Sequence, residues 1–155
     1  MEHNTIETKT NETPSFTRSE SALDEFLAAW ESGTLPKDEW THAAHVAVAA
    51  SYAFDLNPEE ALARTRCGII HFNQSVGTAN TDSSGYHETL TRLWSGFIGA
   101  FVRNASCASR FAAVLAAVQR FGEDRFRHRL YYSFDVVGDT DARRHWVPPD
   151  RSPVS

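Results

Sequence analysis

Two short segments carry residues whose types and spacing could do chemistry. The first, Thr41-His42-Ala43-Ala44-His45, sets two imidazoles three positions apart, so on a helix both rings project from one turn and can reach one metal ion. The second, Gly85-Tyr86-His87-Glu88-Thr89, puts an imidazole beside a carboxylate where a polar loop gives way to an apolar periodicity. Adjacent helical residues point about 100° apart, so one of His87 and Glu88 can bind a ligand while the other positions it. Each motif also has a plain structural reading. Histidine fills many roles on helices, and a carboxylate in a first turn is stabilised by the helix dipole with no further duty.

The spacing predicts His42 and His87 in the first turns of two helices, where the positive end of the dipole disfavours imidazolium. Neutral imidazole is the metal-binding form, so His42, His45, His87 and Glu88 together suggest a mixed nitrogen and oxygen site for zinc, iron or manganese. The four groups could close a tetrahedral structural site. Alternatively three bind, and Glu88 or His87 works as the catalytic group beside a metal-bound water, for hydrolysis, elimination or, with iron, oxygen chemistry. A domain of this size needs no metal to fold, which favours the catalytic form and a small-molecule substrate. Asn80, Thr81 and Tyr86 are expected to line the pocket from the loop, with Trp40 either walling it or belonging to the core. His71 is a weaker candidate ligand; His128 and His145 lie in arginine-rich surroundings without ligand spacing.

Two other readings stay open. One is metal-free acid–base work by a His/Glu pair. The other is a non-catalytic helical binding or interaction protein, whose motif histidines satisfy buried hydrogen bonds and fix the loop from Val76 to Gly85. Nucleophilic catalysis finds no G-x-S-x-G, and neither G-x-G-x-x-G nor G-x-x-x-x-G-K occurs, so no nucleotide cofactor is expected.

The elements that must position these groups are helices. Leu23, Phe26, Leu27 and Trp30 share one helix face, with Ser21 as the expected N-cap and Gly33 as the stop. Thr41 caps a second helix to about Leu56, apolar nearly all round and therefore central. Asn57-Pro58-Glu59-Glu60 starts a third, to about Ser75, burying Leu62, Ile69 and Phe72. After the loop from Gly77 to Gly85, Leu90, Leu93, Trp94, Phe97, Ile98 and Phe101 mark a fourth. Ser109 caps a fifth ending at Gly122. SFDVVGDT reads as a brief strand or extended passage, and Asp141 to Trp146 as a last short helix. The fold class is thus all-α, a single-domain bundle of five or six helices over 19–150, with a disordered tail at 1–18 and a C-terminal tail at 151–155.

Composition sets outer limits. Of 155 residues, 41% are hydrophobic and 23% charged, enough for a packed core. A net charge of -5 argues against nucleic acid as a partner. No apolar run approaches a membrane span or a secretory signal, so a cytoplasmic location is expected. Cys67 and Cys107 form no C-x-x-C pair and read as reduced, buried thiols. The apolar content of helices four and five leaves room for a homodimer face.

The segments Trp40 to His45, Asn80 to Thr89 and YYSFDVVGDTDARRHWVPPD resemble a group of small bacterial helical proteins. That group shares Trp-Thr-His-x-x-His and Asn-Thr-x-x-x-Gly-Tyr-His-Glu-Thr motifs. The likeness spans about Phe26 to Asp150 and implies a helical protein in which His42, His45, His87 and Glu88 belong to the defining motifs; it implies no particular reaction. The similar proteins tend to carry Arg after Tyr-Tyr-Ser, where this chain has Phe134.

Overall fold

A computed structural model describes residues 13–152. Six α-helices follow one another: α1 (Glu20–Ser32), α2 (His42–Asp55), α3 (Pro58–Ser75), α4 (Glu88–Ala105), α5 (Arg110–Phe121) and α6 (Thr140–Arg144). Three short 3-10 turns join them, and there is no strand among the described residues. The fold is an all-helical bundle, as the periodicity predicts.

The helix ends show how local chemistry sets the boundaries. Thr41, Asn57, Ser109 and Asp139 each accept a backbone N–H through the side chain and so start α2, α3, α5 and α6. The cap of α1 is Ser19, not Ser21: its hydroxyl accepts from the Ala22 N–H at 3.0 Å, two residues ahead of the expected start. Gly33 ends α1 in the left-handed conformation that glycine adopts without strain. SFDVVGDT forms bends and turns rather than a strand, and its Val136 and Val137 carbonyls accept from His87 and Arg143.

Helix α2 is the axis of the bundle, packed against α3, α4 and α5. From His42 to Phe54 it has no formal charge, and Ala44, Ala47 and Ala50 let its neighbours approach closely while Val46 and Val48 fill the space between. Buried Ser51 on α2 and Thr65 on α3 donate back to Ala47 and Ala61 carbonyls, both at 2.8 Å, so neither hydroxyl is left unmet. At the α1 side, Trp30 is fully buried and stacks on Trp40 with centroids 5.2 Å apart. Burying such a side chain is worth about 2–3 kcal/mol.

The tail is shorter than the sequence suggests. Residues 1–12 of it lie outside the described residues, but Phe16 is buried against Phe26 at 4.7 Å in a 3-10 turn. One aromatic anchor therefore docks a polar segment. Cys67 is exposed on α3, against the expected burial. The large exposed apolar side chains among the described residues are Phe54 on α2 and Phe126, Leu130, Phe134 and Val137 after α5.

The chain after α5 straps over the start of α4. Thr89 Oγ1 donates to the His145 carbonyl at 2.8 Å and accepts the Val147 N–H at 3.0 Å, while Tyr132 donates to the Val147 carbonyl at 2.7 Å. Arg143 donates to the Gly85 carbonyl at 2.8 Å, and Arg144 pairs with Asp82. No helix among the described residues is long and apolar enough to cross a membrane.

Gly68 on α3 faces the Trp30 ring so closely that an added Cβ would lie 2.2 Å from Cη2. Alanine normally stabilises a helix interior by about 1 kcal/mol over glycine. Here the rigid, buried indole cannot yield, so Gly68→Ala is expected to destabilise by about 1–3 kcal/mol in urea unfolding. A gain in stability would contradict this packing.

Candidate functional site

A cavity of about 490 Å³ opens between α2, α3 and α4, with residues following α5 at one side. Trp40, Val46, Ile69, Leu90, Trp94 and Ile98 form much of its wall, and His42, His45, His87 and His128 bring four imidazoles to it. Trp40 belongs to both core and cavity: it stacks on Trp30 behind and on His45 in front, the latter at 3.7 Å.

The three motif histidines are each held by a backbone carbonyl, which can only accept and so fixes where the ring hydrogen sits. His42, the first residue of α2, donates from Nε2 to the Phe121 carbonyl at 3.0 Å and meets Trp94 edge-on at 4.8 Å. His45 donates from Nδ1 to the Thr41 carbonyl at 2.7 Å. These bonds leave Nδ1 of His42 and Nε2 of His45 as acceptors. Neither has a protein partner among the described residues, and neither is among the sealed unpartnered atoms.

His87 differs. It lies one residue ahead of α4 rather than within its first turn, and its side chain is the cap: Nδ1 accepts the Leu90 N–H at 3.1 Å. Its Nε2 donates to the Val136 carbonyl at 2.9 Å. Both nitrogens are therefore spent, one on starting the helix and one on holding the strap.

All four imidazoles are biased towards the neutral form. Burial is the main cause in each, opposed at His42 by the Phe121 carbonyl and at His87 by the Val136 carbonyl. Burial also lowers His128, aided by the charge of Arg129. For His45 burial pushes the pKa down to about 4, against the pull of the Thr41 carbonyl. His42 is thus lowered as the sequence suggests, with desolvation as the main cause.

Glu88 does not join the cavity. Arg66 on α3 grips it through Nε at 2.9 Å and Nη2 at 2.5 Å, and the Tyr86 hydroxyl donates to Oε2. Burial raises its pKa, but these bonds outweigh burial and hold it below the ordinary carboxylate value. Tyr86 lines the cavity with its hydroxyl turned to Glu88, and burial together with that carboxylate pushes the phenol up.

Asn80 and Thr81 do not line the cavity either. Asn80 Oδ1 accepts from Asn73 Nδ2 at 2.9 Å and from the Tyr86 N–H at 3.0 Å, zipping the loop onto α3. Thr81 closes a turn to the Ser84 carbonyl at 2.9 Å. Gly85 is required beside this zip, because a Cβ there would fall 2.6 Å from Asn80 Oδ1. His71 is exposed and lies apart from the cavity.

The donor set does not fit the four-ligand metal centre that the motifs suggest. His87 has no free lone pair, Glu88 is committed to Arg66 and Tyr86, and no group of three or more His, Cys, Asp or Glu among the described residues could hold an ion. In their place the cavity gathers Asn73, Ser95, Arg125 and His128, which the motifs do not flag. Ser95 was within reach of sequence reasoning, because positions 87, 91, 94, 95 and 98 share one helical stripe. His128 carried no such signal, since the fold alone brings it from beyond α5.

Neutral histidines make stability depend on pH. Between about 6.5 and 4 the unfolded chain binds protons that folded His45 does not, so stability is full above the upper value and drains as pH falls. At about 1.4 kcal/mol per pKa unit, lowering pH from about 6.5 to 5 costs roughly 2 kcal/mol through His45 alone. In urea unfolding at both pH values, His45→Gln is expected to lose about that much less than the parent chain. Equal losses would show that His45 is not held neutral.

Comparison of the chain with protein-family models, with curated proteins and with solved structures finds no match.

Proposed function

We propose that the chain is a small-molecule enzyme of the acid–base type that works without a bound metal, with His42 as proton acceptor and His45 as an orienting hydrogen-bond acceptor. The observation that carries this reading is a pair of neutral imidazoles, on residues lining an aromatic-walled cavity, whose hydrogens are committed to backbone carbonyls and whose second nitrogens have no protein partner among the described residues. Two tryptophans and several aliphatic side chains suit a compact, largely apolar substrate, and the volume admits one of modest size.

The two histidines suit different tasks. A general base works best with a pKa near ambient pH, and His45, at about 4, is too weak a base to keep a proton at neutrality. It serves better to accept a hydrogen bond and fix the substrate. Burial lowers His42 and the charge of Arg125 lowers it further, while the Phe121 carbonyl and the Asp124 carboxylate favour the imidazolium that proton abstraction creates. Glu88 then acts at a distance: by holding Arg66 it ties α3 to α4, which carry two walls of the cavity.

Ring opening of 5-nitrobenzisoxazole tests this, because it needs only a positioned base in an apolar pocket. The base takes the C3 hydrogen as a proton, the N–O bond breaks, and a cyano-nitrophenolate absorbs visible light. The chain is expected to exceed free imidazole by about 10²-fold or more at equal concentration, and His42→Gln to lose that excess. Rates matching free imidazole, or activity that follows a stoichiometric metal ion and vanishes with a chelator, would overturn the reading.

A further inference from the structure

The residues lining the cavity include no aspartate or glutamate, and a single formal charge, the guanidinium of Arg125. This is the reverse of the chain as a whole, whose net charge is -5. The nearest carboxylate in sequence is unavailable to Arg125, because Asp124 pairs with Arg127 at 3.1 Å. No acidic side chain among the described residues forms an ion pair with Arg125, which lies exposed over the Phe126 ring at 5.1 Å.

We infer that the substrate is a monoanion, a carboxylate on a compact apolar body, with its charge drawn to Arg125. This inference rests on the small-molecule reading of the same cavity. A cationic ligand would meet Arg125 and no counter-charge. A phosphate dianion would find one guanidinium and no second cation in the lining, leaving half its charge uncompensated. A carboxylate matches one guanidinium, which presents a planar fork to its two oxygens.

Benzoate and its uncharged counterpart benzyl alcohol separate the possibilities when titrated against the full chain, read by calorimetry and tryptophan fluorescence. Benzoate is expected to bind about tenfold more tightly than benzyl alcohol at low salt, with the preference shrinking as ionic strength rises. Arg125→Gln should bring the ratio near unity, and Arg125→Lys should keep part of it. Because Arg125 is exposed, both variants are expected to fold. Equal binding of the two probes by the parent chain overturns the anion assignment and leaves the cavity reading standing. Binding of neither, together with no ring opening of 5-nitrobenzisoxazole, overturns both.

Discussion

The architecture of the site depends on one side chain bonded at both ends of its ring. His87 takes the Leu90 N–H on Nδ1 and gives the Nε2 hydrogen to the Val136 carbonyl, 49 positions later in the chain. The first bond supplies the cap that α4 needs at its start. The second anchors the strap of residues after α5, which also hangs on Thr89. Because His87 is buried, either bond lost would leave a polar group without water, a cost of about 1–3 kcal/mol. A histidine used in this way is a joint, and the positions of Leu90, Trp94 and Ser95 along the cavity follow from where it fixes α4.

The same logic explains why two apparently equivalent motifs play different parts. In Thr41-His42-Ala43-Ala44-His45 the cap is the threonine, so both imidazoles are free to use one nitrogen on a carbonyl and keep the other open. In Tyr86-His87-Glu88 the histidine is itself the cap and the glutamate is taken by Arg66 and Tyr86. One motif faces the cavity with chemistry to spare; the other builds the wall. Neutrality unites them, since desolvation keeps each ring uncharged and each carbonyl then selects the tautomer.

Much of the fold was legible in the sequence because its signals are local. Thr41, Asn57-Pro58 and Ser109 announce their helices, and the uncharged run from Ala43 to Phe54 marks the central one. The shared cavity of His42, His45 and His87 was legible too, from helix starts alone. What stayed hidden is what long-range contacts decide. Nothing near Glu88 in sequence reveals that Arg66, on the preceding helix, will occupy it. Nothing near His87 foretells Val136, and Asn80 looks like a pocket residue until the fold shows it pinning the loop to Asn73. His128 sits in arginine-rich surroundings without ligand spacing, yet the turn after α5 brings it and Arg125 to the cavity.

The tautomers of three neutral rings decide what this site can do, and long-range nitrogen–proton correlation NMR reads them directly at neutral pH. Neutral imidazoles are expected, with the hydrogen on Nε2 in His42 and His87 and on Nδ1 in His45. Imidazolium signatures, the opposite tautomers, or a His87 whose two nitrogens both lack hydrogen-bond shifts would contradict this assignment.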